Sequence, residues 1–450
     1  MSSRSKLEGL GTEKIGKLLL TMASQTTFAL LVYSIYSITD TYFLSKGINS
    51  LAAAGSSIVS PVLIALGAVA TTVGAGGASV VSRALGEKNA ERASRAVANT
   101  FLIFGATALT ITVAGTLFIE PIVYLLGATD TVAPYAITYG RIIFLGAITS
   151  TGFSTIIRAD GSIQYSTAIW VIPVMINLVL SWWFIMVIHM GVAGAALATV
   201  ACQVVSAGMS IYFFFFKRNR SYRIKLSYFR PDWPLIGEVL MIGFPSLAKN
   251  LSRSLVVVIT NNLLKTMGGD TALGVFAIAN RLYGALAMPQ TGIVQGMQPL
   301  VGYNFGLGQT ERVRETIRLA LRASAAYGVL VCAVCLAIPA GLMALLSKES
   351  AIIAEGQVAL RLLALSYPLA GVSMITAASF QSAGRAREAL LLTLGGILLA
   401  KLPVLLLAAR LCALNGIWAS EAASELILCA VSWTMLKNFW GRASRMENGG

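Results

Sequence analysis

The chain has 450 residues, of which 56% are hydrophobic and only 12% are charged, and its formal net charge is +15. Soluble domains carry about 25% charged residues, so this composition excludes a soluble globular protein and indicates a chain that lies mostly in lipid. The positive charge alone would suit a nucleic-acid-binding protein, but the basic residues collect on one side of the predicted membrane spans, which excludes that function.

Apolar segments long enough to cross a bilayer follow one another along the whole chain. A helix needs roughly 20 apolar residues to span the hydrocarbon core, and we predict about twelve such spans. They lie near residues 18–44, 50–80, 97–119, 134–157, 163–188, 192–216, 236–264, 272–303, 320–346, 356–381, 389–410 and 417–436. The predicted fold class is an all-α integral membrane protein.

The basic residues predict the orientation in the membrane. Of the 34 Lys and Arg residues, 24 fall on the side that holds both termini, and four (Lys46, Lys265, Lys348 and Arg410) fall on the other side. The positive-inside rule then predicts a multi-pass protein of the inner (cytoplasmic) membrane with both termini in the cytoplasm. The densest basic block, residues 217–230, is predicted to be a cytoplasmic linker that favours anionic lipid headgroups.

The second half of the chain repeats the first at a shift of 220 residues, with small gaps in the later part. The segment "VSRALGEKNAERASRAV" (81–97) aligns with "VGYNFGLGQTERVRETI" (301–317), and this register pairs Arg92 with Arg312. Because each half holds an even number of spans, the two halves have the same orientation and form parallel repeats.

This repeat predicts two pseudo-symmetric six-helix bundles. We assign an N-terminal lobe to residues 1–216, a basic linker to 217–235 and a C-terminal lobe to 236–450, with a cleft between the lobes. Secondary transporters bind their substrates at such a repeat interface. The sequence lacks the GxxxxGK[ST] motif of ATP-driven pumps, so we expect an ion gradient to drive transport.

Asp40 is an acid inside the first span. An ionised residue costs about 2.5–3.5 kcal/mol at a helix centre, and less near an interface, so a carboxylate there indicates a functional site. Tyr33, Tyr36, Ser37 and Asp40 are three or four residues apart and share one helix face. The alternative is that Asp40 only caps the helix near the outer interface.

Two further spans carry polar pairs at helical spacing. Asn177 and Ser181 are four residues apart on the fifth span, and Thr199 and Gln203 are four apart on the sixth. Each pair forms a polar stripe. Such stripes either contribute to a binding site or join helices by hydrogen bonds.

The last two spans carry opposite charges. Glu421 and Glu425 share one face of the last span, and Lys401 lies within the preceding one. One interpretation is a neutralised pair of Lys401 and Glu425, and the other is that one glutamate receives a proton or a cationic substrate.

Aromatic and thioether side chains would suit an aromatic cation as substrate, although each of them could equally pack in the protein core. The predicted substrate cleft contains Tyr33, Ser37, Gln203, Asn261, Tyr283, Met288, Gln295, Met297, Glu421 and Glu425.

Several longer motifs resemble those of the multidrug and toxic compound extrusion (MATE) transporters. In the first half these are "DTYFLSKGINSLAAAG", "VIPVMINLVLSW" and "GVAGAALATVACQ"; in the second half they are "GFPSL", "NNLLKTMGGDTALGVFAIANRL" and "QGMQPLVGYNFG". The resemblance covers nearly the whole chain and is to the bacterial branch close to MepA and DinF. It implies twelve helices around a V-shaped cleft and export of cationic, amphipathic drugs in exchange for H+ or Na+.

The resemblance also implies a cation-coupling site, which maps onto Asp40, Asn177 and Thr199. Ser181 and Tyr36 complete the predicted site, whose oxygens would coordinate Na+ if that ion is used. Many members near this branch carry a second acid where this chain has Ser181, and other branches carry an acid where it has Arg253. The first departure argues against a site with two carboxylates. The second argues against an ion site in the C-terminal lobe like that of those other branches.

We expect a monomeric transporter that needs no cofactor and no metal beyond Na+. The alternative within the same superfamily is a flippase for lipid-linked saccharides, whose anionic headgroup would demand several basic residues in the cleft; Arg281 and Lys401 are the candidates. An enzyme is not expected, because the sequence holds one histidine, His189, and no catalytic constellation.

Overall fold

The regular structure in the described part of the chain is entirely helical. The structure, a computed structural model, describes the backbone of residues 3–48, 50–149, 152–217 and 222–448. Within these ranges, the side chains that lie outside the description are those of residues 3–6, 37, 38, 40, 41, 45, 46, 50, 53 and 441–448.

Nine α-helices precede the basic linker in the described residues. They are α1 (Ser3–Thr12), α2 (Ile15–Gly47), α3 (Ser50–Gly86), α4 (Ala90–Leu117), α5 (Ile119–Leu125), α6 (Ala133–Gly146), α7 (Phe153–Ala159), α8 (Ile163–Trp182) and α9 (Gly191–Ile211). Short 3-10 turns lie at Ala147–Thr149 and Leu226–Tyr228, and α8 and α9 continue as π-helix over Trp183–Val187 and Tyr212–Phe216.

The described residues after the linker form eight further α-helices. They are α10 (Trp233–Leu286), α11 (Met288–Gly306), α12 (Thr310–Ala337), α13 (Pro339–Ala344), α14 (Ser350–Ala364), α15 (Tyr367–Ser382), α16 (Ala386–Leu390) and α17 (Leu402–Asn448). A π-helical segment, Leu391–Lys401, joins α16 to α17.

The predicted all-α membrane fold is confirmed by the length and composition of these helices. Nine helical stretches of the described chain are long and apolar enough to cross a bilayer. Two of them contain a residue with non-helical backbone angles, Gly269 and Ala413, and each of these two stretches covers a pair of the predicted spans. The bent pair of α14 and α15 adds one more candidate span.

The sequence repeat is also a repeat of backbone geometry. Helices α4 and α12 each have 28 residues, and the repeat register aligns both their first and their last residues. The left-handed backbone before each of them recurs as well, at Lys88 (φ 57°) and Gly308 (φ 73°). Gly161 and Gly384, which end α7 and α15, have φ angles of 78° and 77°. The same backbone conformations therefore occur next to equivalent helices in both halves.

The chain forms two compact units. The N-terminal unit comprises residues 1–9 and 28–243, and the C-terminal unit comprises 10–27 and 244–450. The two-bundle layout that we predicted fits this division. The exact lobe boundaries at 216 and 236 stay a prediction, since each unit contains a short stretch from the other half of the sequence.

In the N-terminal unit, the start of α10 packs closely against another helix. A Cβ atom added to Gly76 would overlap the carbonyl oxygen of Val239, and one added to Gly243 would overlap that of Thr72. The backbones of α3 and α10 are therefore in direct contact, which small residues permit in membrane helices.

Two arginines fasten the same stretch of α10. Arg83 donates to the Glu238 carboxylate at 2.9 Å, and Arg92 donates to both of its oxygens at 3.0 and 3.1 Å. Arg92 also pairs with Glu87 at 3.2 Å.

The C-terminal unit holds residues 10–27 in the equivalent way. A Cβ atom at Gly296, the repeat partner of Gly76, would lie 2.8 Å from the backbone nitrogen of Ala23. Arg312, the repeat partner of Arg92, donates to the carbonyl oxygens of Leu10 and Glu13 at 3.1 and 2.8 Å. Arg92 in the first half therefore binds the start of α10 through a carboxylate. Arg312 in the second half binds the start of the chain through backbone carbonyl oxygens.

Candidate functional site

Helices α8 and α9 pack against each other in antiparallel directions. The Tyr165 hydroxyl donates to the carbonyl oxygen of Met209 at 2.8 Å, and the Ser206 hydroxyl donates to that of Ile169 at 3.4 Å. Four residues forward on α8 therefore correspond to about three residues back on α9. Continuing this register two turns further brings Asn177 level with Thr199.

Asn177 has an unsatisfied amide in the membrane interior. Its side chain is fully buried, and its Oδ1 accepts a hydrogen bond from the Ser181 hydroxyl at 3.2 Å. Its Nδ2 has no acceptor among the described residues. An unpaired buried donor costs about 1–3 kcal/mol. The Nδ2 group can therefore donate to an acceptor beyond the described side chains.

Thr199 is the residue of α9 that this register brings level with Asn177. It is buried, and its hydroxyl donates to the carbonyl oxygen of Ala195 at 3.1 Å, which leaves its lone pairs free to accept. Gln203, one turn further, is half-buried, and its Oε1 has no donor within the described part of the chain.

Helix α2 contacts α8 through aromatic rings. Tyr33 and Trp170 meet edge to face, with ring centroids 5.6 Å apart. The Trp170 indole donates to the Ser154 hydroxyl at 2.8 Å, which fixes its ring. Tyr36 is half-buried and its ring lies 5.7 Å from that of Tyr33.

The side chains of Asp40 and Ser37 lie outside the described residues, although the backbone of both belongs to α2. Asp40 is seven residues after Tyr33, and Asn177 is seven residues after Trp170. Seven residues are close to two helical turns, and the first and fifth spans are predicted to run in the same direction. We therefore expect position 40 to be level with Asn177.

A second cluster of polar groups lies in the C-terminal unit. The Lys401 ammonium lies 2.6 Å from Glu421 Oε1 and 2.9 Å from Glu425 Oε1. The Ser373 hydroxyl donates to Glu425 Oε2 at 2.9 Å. The predicted ion pair of Lys401 and Glu425 is therefore present, and Glu421 joins it.

Tyr283 belongs to an aromatic pair in the same unit. Its ring stacks on that of Tyr367 with centroids 4.7 Å apart, and its hydroxyl hydrogen-bonds with Ser366 at 3.1 Å. The Tyr367 hydroxyl donates to the carbonyl oxygen of Tyr283 at 3.0 Å. These contacts hold Tyr283 in a fixed position.

The remaining residues of the predicted cleft differ in exposure. Asn261 is exposed, Met288 and Gln295 are half-buried, and Met297 is fully buried. All four belong to the C-terminal unit, whereas Tyr33 and Gln203 belong to the N-terminal one. Their contact with a substrate stays a prediction.

Two polar features of the C-terminal unit had no predicted role. Gln290 is buried and donates to the carbonyl oxygen of Tyr367 at 2.8 Å. Lys249 and Arg253 are exposed on one face of α10, and neither forms an ion pair with any described residue. A sequence signal for these two was available, since both are cations inside a predicted span.

The MatE family model matches residues 26–183 and 245–407, which together cover most of the chain. The two matched regions correspond to the two halves of the repeat. Family similarity is thus spread over both compact units.

Individual relatives cover almost the same extent. The chain is 27% identical to the multidrug export protein MepA of Staphylococcus saprophyticus over 408 residues, which is 88% of each chain. It is 23% identical to the FAD transporter of Shewanella oneidensis over 93% of this chain and 94% of that one. A crystal structure of MATE in the bent conformation superposes with a TM-score of 0.92 at 22% identity, covering 98% of both chains.

Proposed function

Because the chain belongs to the MatE family, we propose that it is a secondary active multidrug efflux antiporter that exports cationic, amphipathic compounds in exchange for H+ or Na+. The observation that carries this proposal is the buried Nδ2 of Asn177, which has no acceptor among the described residues. A carboxylate is a suitable acceptor for such an amide, and Asp40 is the acid that we expect at the same level.

In this mechanism Asp40 binds the coupling ion from the outside. A carboxylate in lipid favours either protonation or a bound cation, because an uncompensated charge there is costly. Asn177 donates to the carboxyl group and thereby sets its orientation, while Ser181 and Thr199 offer oxygens that would complete a Na+ shell. Ion binding then removes the negative charge that holds a cationic substrate.

Substrate recognition would use the rings next to this acid. Tyr33 is 47% exposed in the N-terminal unit, so its ring is accessible to a flat cation. Cation–π contacts contribute about 0.5–2 kcal/mol each. Several weak contacts of this kind favour broad specificity over tight binding of one compound.

The test is export of a fluorescent cation such as ethidium from proteoliposomes under imposed H+ or Na+ gradients. We expect Asp40→Asn to abolish gradient-driven export, because the amide neither ionises nor takes up a proton. Asp270→Asn is the matched control, since Asp270 is an exposed acid just after the Gly269 break. Unchanged export by Asp40→Asn would refute the assignment, and the gradient that drives wild-type export identifies the coupling ion.

The same proposal includes a bacterial inner-membrane location, cytoplasmic termini and a monomeric state. Cysteine labelling from outside checks the orientation: Lys348→Cys should react in intact cells, and Lys225→Cys should not.

A second candidate is transport of an anionic molecule. Lys249 and Arg253 are a specific observation in its favour, because two cations near the middle of a membrane span, neither paired with a described acid, attract anions. One relative is named an FAD transporter, and a lipid-linked saccharide also carries an anionic headgroup. Lys401, by contrast, is already neutralised by two carboxylates.

Thermal stabilisation of the purified protein separates the two candidates. Under the main proposal ethidium raises the melting temperature and FAD or a lipid-linked oligosaccharide does not. Under the second candidate, FAD or a lipid-linked oligosaccharide raises the melting temperature of the wild type. The double substitution of Lys249→Gln and Arg253→Gln removes this increase.

A further inference from the structure

The two glutamates of the C-terminal cluster have unequal partners. Both oxygens of Glu425 are occupied, one by Lys401 and the other by Ser373, and its side chain is 6% exposed. Among the described side chains, Glu421 pairs only with Lys401, at 2.6 Å, and its side chain is 23% exposed. Its Oε2 makes no hydrogen bond or ion pair with any described residue.

These contacts leave one negative charge in excess. Lys401 supplies one positive charge to two carboxylates, at 2.6 Å from Glu421 and 2.9 Å from Glu425. Glu425 has a second partner in Ser373, so both of its oxygens are engaged. Glu421 is the more exposed acid and the one with an oxygen available for a proton.

Other charged and titratable groups face the cluster. Lys249, on α10, interacts electrostatically with Lys401 and Glu425, and Arg253 lies one turn further along α10. Tyr283 interacts with both glutamates, and Cys429 interacts with Glu425. No described basic residue other than Lys401 comes within ion-pair distance of either glutamate.

The backbone at this place is also unusual. Lys401 ends an eleven-residue π-helical segment. Such segments are rare and frequently occur at functional sites, and the wider turn changes which face of the helix the last side chain occupies. The segment thus directs a lysine of one span towards two acids of the next.

We propose that Glu421 is a second proton-accepting residue, in the C-terminal unit, and that its protonation accompanies each export cycle. This proposal rests on the proposed antiport function. A proton from the outer solution forms an O–H bond at the free Oε2, the attraction between Glu421 and Lys401 weakens, and Lys401 stays paired with Glu425. The same O–H bond breaks when the proton leaves to the cytoplasm, so the cycle consumes no other reactant.

The consequence is a change of transport stoichiometry. One proton at Asp40 exchanged for a monovalent cation moves no net charge, and the membrane potential then contributes nothing. A second proton at Glu421 moves one net charge inward per cycle. At about 100 mV this corresponds to a concentration ratio of substrate of roughly 50-fold.

The experiment measures ethidium export in proteoliposomes whose membrane potential is set with potassium and valinomycin, without a pH or Na+ gradient. We expect wild type and Glu355→Gln to show a substrate ratio that rises about 50-fold for each 100 mV or so of potential. Glu355 is the control because it is an exposed glutamate on α14 of the same unit. We expect Glu421→Gln to lose the dependence on potential while still exporting under a pH gradient, and Glu421→Asp to retain it.

A potential dependence in Glu421→Gln equal to that of wild type would overturn the proposal. If Glu421→Gln does not fold, the wild type alone decides: the ratio of protons to ethidium should be two, and a ratio of one overturns the proposal. Export driven by a Na+ gradient at constant pH would also overturn it.

A transport-independent measurement separates this proposal from the proposed function. Infrared difference spectra of purified protein in lipid, recorded between alkaline and acidic pH, should contain a carboxylic acid C=O band that Asp40→Asn keeps and Glu421→Gln loses. If ethidium is not exported at all, the proposed function fails while this band still tests Glu421. If the band is unaffected by Glu421→Gln, the inference fails whatever is exported.

Discussion

The contact between α3 and α10 predicts opposite effects of one substitution at two glycines of the same helix. Gly237 and Gly243 both lie in α10. A Cβ atom added to Gly237 meets nothing within 4 Å, whereas one added to Gly243 would overlap the carbonyl oxygen of Thr72. Replacing a helical glycine by alanine otherwise stabilises by roughly 0.5–1 kcal/mol.

The structure sets the size of the clash at Gly243. The added Cβ would lie 2.8 Å from the Thr72 carbonyl carbon and closer still to its oxygen, and ordinary contact begins at 3.4 Å, so the helices must separate by more than 0.6 Å (3.4 less 2.8). A gap of this size removes roughly a quarter to a half of the dispersion energy of the atoms involved. Overpacking of this kind costs about 1–3 kcal/mol. On these grounds Gly243→Ala should be destabilised by about 1–2 kcal/mol, and Gly237→Ala stabilised by about 0.5–1 kcal/mol.

The assay is thermal unfolding of purified protein in one detergent, followed by tryptophan fluorescence. With roughly 2–4 °C per kcal/mol for a unit of this size, the two variants should differ in melting temperature by several degrees, with wild type between them. Equal shifts for both variants, or a higher melting temperature for Gly243→Ala than for Gly237→Ala, would refute the inference of backbone contact between α3 and α10.

Three further substitutions, with Glu91→Gln as a control for the first, test the polar contacts by the same thermal assay or by proteolysis. Glu238→Gln removes the carboxylate shared by two arginines and should cost about 1–2 kcal/mol, whereas Glu91→Gln, whose exposed pair lies within one helix turn, should cost under about 0.5 kcal/mol. Ser373→Ala removes a hydrogen bond to the buried Glu425 carboxylate, and we expect a loss of about 1.5–3 kcal/mol; no loss would show that another donor replaces it. Arg312→Gln removes a donor from the carbonyl oxygens of Leu10 and Glu13, of which Leu10 keeps Asn304, so protease cleavage near the N-terminus should become faster.

The spans and their repetition could be predicted because they depend on composition and local signals. About 20 apolar residues identify a span wherever it packs, and a glycine with positive φ ends a helix in the same way in both halves. The described chain has nine continuous helical stretches, fewer than the predicted spans. One reason is that Gly269 and Ala413 each interrupt a helix for a single residue between two predicted spans.

Helix partners could not be predicted in the same way. The repeat pairs Arg92 with Arg312, but one binds a carboxylate and the other binds backbone oxygens, so equivalent residues do not imply equivalent partners. Gly76 and Gly296 do carry a usable signal, since they align in the repeat register and both lie at close helix contacts.

The candidate sites were predictable in part for electrostatic reasons. Lys401 and two glutamates inside adjacent spans had few options other than pairing, because an unpaired charge in lipid is costly. The sequence did not predict that the two glutamates have different partners. This difference depends on Ser373, which lies on a helix far away in the chain. The role of Asp40 stays a prediction.

The membership of residues 10–27 in the C-terminal unit bears on the order of synthesis. These residues leave the ribosome first, yet the surface that they pack against, with Gly292 and Gly296, is made only in the second half of translation. The start of the first helix can therefore make these contacts only after that surface has been inserted into the bilayer. A nascent chain that stops in the basic linker would lack the helices that residues 10–27 pack against. We expect membrane quality-control proteases to degrade such a truncated chain.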